Sequence, residues 1–137
     1  MATLGGIQVQ IQTALAAASW CTTAGYTVFV EGNSDTFTDA VNAALGDKGI
    51  CIIVCPPSDL KGEVSMSGGR VDGVVSVVCC LVSTGDTITT LPAIVSQMIE
   101  TVRATLTYAL NGVDFGRVAD EESQLGYYVS FDILVNI

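Results

Sequence analysis

Apolar residues recur along this chain in two periods, and the switches between them mark out the elements. Leu4, Ile7, Ile11, Ala14, Leu15 and Ala18 return every three or four residues with Gln8, Gln10 and Gln12 among them. That spacing predicts an amphipathic helix of about four turns, which Trp20 closes against the core. Thr22 to Gly25 reads as a turn. Tyr26 to Glu31 is β-branched and aromatic, as a strand requires. After a loop at Gly32 to Asp35, Thr36 with Asp39 three residues on comes close to a capping box. It starts a short helix with an apolar stripe of Phe37, Val41, Ala44 and Leu45, and Gly46 is placed to stop it. Ile50 to Cys55 is apolar on both faces, the pattern of a central, covered strand, and Pro56-Pro57 ends it.

Arg70 to Val82 is again apolar at nearly every position and predicts a long strand. The segment between, Ser58 to Gly69, is rich in glycine, serine and charge. With strands on both flanks it reads most simply as a hairpin with an extended arm. Ser83 to Thr89 is a polar loop. Thr90 is placed to cap the next helix, with Pro92 tolerated in its first turn. Leu91, Val95, Met98, Ile99, Val102, Leu106, Ala109 and Leu110 keep one helical face apolar for about five turns, until Asn111-Gly112. Val113 to Leu125 reads as a loop. From Tyr127 to Ile137 apolar residues alternate strictly, which predicts a long C-terminal strand with one face buried. The order α-β-α-β-β-α-β predicts a single α/β (α+β) domain over residues 1–137, with helices packed on one mixed sheet and an arm at 58–69. No internal repeat or second-domain boundary is visible.

Composition narrows the function classes. Half of the 137 residues are apolar, enough for a core without metal or disulfide help. Charged residues are only 14%, against a usual quarter or so. Either part of the surface is covered by something else, or it is a thin polar surface of Ser, Thr, Asn and Gln. The net charge is −9, and the five basic residues, Lys48, Lys61, Arg70, Arg103 and Arg117, are scattered. Nucleic-acid binding needs a clustered cationic footprint, so direct DNA or RNA recognition is disfavoured. The longest apolar run, Gly73 to Val82, is about half of what a spanning helix needs. The N-terminus lacks the basic start and apolar block of a signal peptide, which points to synthesis in the cytosol.

Chemistry is sparse. The chain has no histidine, so nucleophile–histidine catalysis in its usual form is excluded. Gly68-Gly69 opens no helix and belongs to no phosphate-binding motif. Asp120, Glu121 and Glu122 are adjacent in sequence, unlike carboxylates that face each other across a substrate, and they lack the alternating pattern of a calcium loop. The five cysteines, Cys21, Cys51, Cys55, Cys79 and Cys80, form no C-x-x-C pair. Cys51 and Cys55 would stand about 13 Å apart along a strand. The five read as small apolar fillers, with no metal and no cofactor expected. The arm has a more pointed composition. Leu60, Val64 and Met66 interrupt polar residues, with Lys61, Glu63 and Arg70 beside them. It is either an ordinary loop or a segment that orders on a neighbouring protein.

The whole pattern resembles the tail terminator and tail completion (neck) proteins of long-tailed bacteriophages. The resemblance is carried by the N-terminal helix, the hairpin with its arm, the helix at Leu91-Pro92-Ala-Ile-Val-Ser-Gln-Met-Ile-Glu-Thr-Val, the loop with glycine and acidic residues, and the ending Gly126-Tyr-Tyr-Val-Ser-Phe-Asp-Ile-Leu-Val. It is one of pattern, with no diagnostic signature and no catalytic residue to carry over, and five cysteines are not a family feature. It implies a structural virion protein made in the host cytoplasm. Such a protein forms a ring, commonly a hexamer, on the head-proximal end of the tail tube. There it ends tube growth and meets tube and neck proteins, while DNA passes through without specific binding. On that reading Leu60, Lys61, Glu63, Val64, Met66 and Arg70 are the expected protein contacts. Asp120, Glu121 and Glu122 are expected to face the channel, where an acidic wall would not grip DNA. The alternatives are another head–tail connector, tube or minor capsid protein, or a small cytosolic enzyme or ligand-binding domain.

Overall fold

The computed structural model describes residues 4–32, 34–67, 70–83, 90–119 and 125–136. The N-terminal helix α1 (Leu4–Ala17) is followed directly by a short helix α2 (Ser19–Ala24), where the sequence suggested only a turn. Gly25 ends α2 in the left-handed conformation, at φ 78°, and its N–H bonds the Cys21 carbonyl. Strand β1 (Thr27–Val30) leads into α3 (Asp35–Lys48). The cap of α3 is Ser34, whose Oγ accepts from the Phe37 N–H at 3.2 Å, two residues before the expected Thr36. The helix also runs through Gly46 and stops at Gly49, which has the positive φ of 76° that such a stop favours.

Three strands follow: β2 (Ile50–Val54), β3 (Ser58–Ser67) and β4 (Arg70–Ser83). Helix α4 (Leu91–Thr105) carries a proline in its first turn, and Thr90 precedes it without a side-chain capping bond. Strands β5 (Leu110–Ala119) and β6 (Leu125–Asn136) complete the chain. They form one mixed sheet in the order β1-β2-β4-β6-β5, with β3 pairing β4 off this path. β1 and β2 are parallel and the other pairs antiparallel. The expected single α+β domain with helices on a mixed sheet is therefore present. The element order is longer than expected by α2, β3 and β5.

The largest correction lies after α4. The apolar spacing suggested one helix as far as Leu110, then a loop. The helix instead ends at Thr105, and Leu106 leaves it in extended conformation, at φ −69° and ψ 131°. Leu106 and Leu110 still pack against the core, from backbone that is no longer helical. A latch from α1 fixes the exit: the Gln10 carboxamide oxygen accepts from the Thr107 N–H at 2.9 Å, and its Nε2 donates to Thr107 Oγ1 at 3.1 Å. The chain then forms β5, which pairs β6 from Leu110 to Ala119 with one irregularity near Asn111.

The core lies on one side of the sheet. Ile7, Ile11 and Leu15 of α1 and Leu91, Ile94, Val95, Met98 and Val102 of α4 are buried against alternate strand residues. Those residues include Ile50, Ile52, Val54, Val77, Cys79, Leu81, Val129, Phe131 and Ile133. Two glutamines tie α1 to this side. Gln8 Nε2 donates to the Val54 carbonyl and Gln12 Nε2 to the Val28 carbonyl, both at 3.0 Å. Trp20 Nε1 donates to Thr101 Oγ1 at 2.9 Å, which joins α2 to α4. On the opposite side α3 packs on β2, and Phe37 meets Phe29 edge-on with ring centroids 5.9 Å apart.

Candidate functional site

Grooves are the first place to look for chemistry. One depression of about 500 Å³ lies between α2 and the end of α4, lined by Trp20, Gln97, Glu100 and Thr101 among others. A second, of about 350 Å³, is lined by Ser96, Ile99, Glu100 and Arg103. The Trp20 N–H is already spent on Thr101, and Glu100 and Arg103 form a surface ion pair at 4.0 Å. Neither groove gathers polar groups toward a common point. Among the described residues, no three histidine, cysteine, aspartate or glutamate side chains converge as a metal site would require.

The features that stand out are surfaces. β5 ends the sheet on one side and β1 on the other, so each offers one row of backbone groups to a further strand. Val113 and Phe115 of β5 stand opposite Phe131 and Val129 of β6, and so lie on the helix-bearing side of the sheet. Their partners are fully buried, yet Val113 is 39% and Phe115 56% exposed. The reason is reach. The helices pack mainly on β1, β2 and β6, and leave the β5 margin of that side open. This patch was invisible in the sequence, because Asn111-Gly112 and Gly116 diluted the alternation of the strand that builds it.

The other side of the sheet is also largely open beyond α3. Val78, Cys80 and Val82 of β4 and Tyr128, Ser130 and Asp132 of β6 are half-buried there, and Leu134 is exposed. Gly116 of β5 faces Tyr128. A Cβ at that position would fall 2.5 Å from the ring, so only glycine lets the tyrosine lie across the strand. Ser76 Oγ donates to Asp132 Oδ1 at 2.6 Å, a short charge-assisted bond across β4 and β6.

The same side holds two of the five thiols. Cys55, one residue beyond β2, and Cys80 of β4 have their sulfurs 4.0 Å apart. The hydrogen bond between them holds the Cys80 thiol below its ordinary pKa and raises that of Cys55. Burial and the nearby Glu31 carboxylate push Cys55 further up. Cys21, Cys51 and Cys79 are buried, and burial raises all three, Cys51 to about 11. These three fit the expectation of apolar fillers. The contact between Cys55 and Cys80 was not foreseen, since it depends on the register of β2 with β4.

Of the residues expected to make contacts, Leu60, Lys61, Glu63, Val64 and Met66 lie on β3, and Arg70 begins β4. Their backbone pairs as a hairpin, with Lys61 opposite Val74, Met66 opposite Val71 and Ser67 opposite Arg70. Their side chains, and the whole of Asp120, Glu121 and Glu122, lie outside the described residues. No helix of the described chain is long and apolar enough to cross a membrane.

No protein-family model matches the chain, and no curated protein matches it. Among solved structures it is similar to a chain from a structure described as the virion of a native gene transfer agent particle. The similarity covers 100% of both chains with a TM-score of 0.66 at 14% identity. At that identity the two share a fold.

Proposed function

We propose that the protein is a structural component of a phage-like virion, and specifically a tail terminator. It assembles as a ring, a hexamer, on the head-proximal end of the tail tube, ends tube growth and meets the neck. The observation that carries the assembly reading is the open margin of β5, where Phe115 and Val113 continue the apolar side of the sheet past the helices that cover it. A monomer gains nothing from a long, exposed aromatic edge strand and risks aggregation through it. A ring needs two different patches on each subunit that meet around the circle. The β5 margin supplies one, and the β3–β4 hairpin with Leu60, Lys61, Glu63, Val64, Met66 and Arg70 supplies the other. The full-length fold match to a chain of a virion particle supports the coarser part of this reading, a structural component of a phage-like particle. The acidic run Asp120–Glu122 immediately follows β5 and faces the channel, where it keeps passing DNA from adhering.

Light scattering on the purified chain, alone and with tube protein, tests the ring: a ring-sized species is expected. Deleting Leu60–Ser67 is expected to leave a folded subunit that does not close rings. Particles made without the protein are expected to carry tails of uncontrolled length or tails that fail to join heads. Tails of normal length that join heads normally would reject the terminator role and move the protein to another place in the particle.

A further inference from the structure

Cys55 and Cys80 are the two thiols that the core does not need. Cys21 and Cys79 belong to the buried cluster under the helices, and Cys51 is fully buried on the other side. Cys55 and Cys80 are only half-buried, on the part of the sheet that α3 leaves uncovered. The register explains how they meet. Ile53 stands opposite Cys80, and the Cys55 N–H bonds the Val78 carbonyl at 2.9 Å. Cys55 and Cys80 are therefore diagonal neighbours on one face of an antiparallel pair, with sulfurs 4.0 Å apart. Diagonal cysteines in the middle of two strands are held somewhat too far apart for an unstrained disulfide. Here one partner lies just past the end of β2 and before Pro56-Pro57, where that one bond to Val78 holds it and proline, which has no N–H, follows, so closure can draw the sulfurs together only at the expense of some strain.

We infer that Cys55 and Cys80 are an oxidisable dithiol that a peroxide closes to an intramolecular disulfide, stapling the base of the β3–β4 hairpin. The two residues are 25 apart, and the chain between them contains all of β3 and most of β4. Closure needs two steps. The Cys80 sulfur, the one that holds its thiolate more readily, attacks an oxygen of the peroxide. An S–O bond forms and the O–O bond breaks, so that a sulfenic acid remains and the other oxygen leaves as alcohol or water. The Cys55 sulfur then attacks the Cys80 sulfur. The S–S bond forms, the S–O bond breaks, and the Cys55 proton leaves with the hydroxide as water. Two thiols lose two electrons in all and the peroxide gains them. A strained, half-exposed bond of this kind is readily reduced again by a small dithiol. This inference stands independently of the ring.

The test treats the folded chain with hydrogen peroxide and then follows intact mass and disulfide-linked peptides under non-reducing conditions. The expected result is loss of the mass of two hydrogens, with the crosslink assigned by fragmentation to Cys55 and Cys80. Dithiothreitol should reverse it. In the reduced chain the Cys80 thiol should react with iodoacetamide at least ~10-fold faster than Cys21, Cys51 and Cys79. Cys55→Ser should abolish the mass loss and leave a Cys80 sulfenic acid that dimedone captures, while Cys51→Ser should leave the crosslink intact. A crosslink through Cys21, Cys51 or Cys79, a crosslink only between chains, or no crosslink in the folded protein would each overturn the inference. Circular dichroism of both variants guards against a trivial loss of fold.

Discussion

β4 and β6 present two faces built from alternate residues of the same strands, and the two have different fates. On the helix-bearing face Val77, Cys79, Leu81, Val129, Phe131 and Ile133 are fully buried. On the other, Val78, Cys80, Val82, Tyr128, Ser130 and Asp132 are half-buried and Leu134 is exposed. β4 is nonetheless almost as apolar on its open face as on its covered one, as its Val-Val-Ser-Val-Val-Cys-Cys-Leu-Val run makes plain. An apolar run of this kind normally means helices on both sides. Among the described elements, α3 alone packs on the second side, over β2. Composition alone therefore did not tell which apolar face belongs to the core and which is left for something else.

Matched substitutions on the two faces break or sharpen this contrast. The largest effect belongs to Phe131→Ala, which removes a fully buried ring and should cost about 3–5 kcal/mol in urea unfolding. Leu134→Ala, three residues along on the open face, should stay within about 1 kcal/mol, because much of that side chain already meets solvent. Equal losses would mean that the open face is buried in the isolated chain. Next come adjacent cysteines. Cys79→Ser places a hydroxyl in a dry core and should cost about 1–3 kcal/mol, whereas Cys80→Ser, half in solvent, should cost less than about 1 kcal/mol.

Gln8→Ala tests the attachment of α1 to the covered face. It strips the Val54 carbonyl of its side-chain donor in a buried setting and should cost about 1–2 kcal/mol. The smallest effect on stability, and the largest on assembly, is expected for Phe115→Ser. Thermal unfolding of the subunit should move by no more than about 0.5 kcal/mol, while the ring-sized species in light scattering disappears. A ring that survives this change would shift the interface elsewhere.

The elements with a strong period were legible from the residues: α1, β2, β4, the first four turns of α4, and β6. Failures came where two signals competed. Leu106, Ala109 and Leu110 prolonged the apolar period of α4, but only the need to be buried was real, and extended backbone satisfied it as well as helix would have. Thr105 and Thr107 on either side of the break, and the waiting Gln10 of α1, decided for the strand. β5 had its signal in Val113-Asp114-Phe115 and in Gly116, which accommodates Tyr128, but that glycine gains meaning only when β6 lies beside it. Ser34 was passed over as a cap in favour of Thr36, although either residue type serves. The open apolar margin and the thiol pair, which carry the functional and chemical proposals, were each beyond reach for a related reason. Phe115 is exposed because none of the described helices covers β5, and Cys55 meets Cys80 because of one register among several.

By itself the sequence determined the local matters: that α1 and most of α4 are helical and β2, β4 and β6 extended, that a core exists, that histidine chemistry is absent, and that the chain is acidic with no cationic footprint. These depend on residue type and on periods of two and 3.6, which are fixed along the chain. The tertiary structure alone decided which apolar faces are covered, which strands end the sheet, and which residues distant in sequence become neighbours. Those outcomes turn on strand order and register, where a slip of one position would move every side chain to the opposite face.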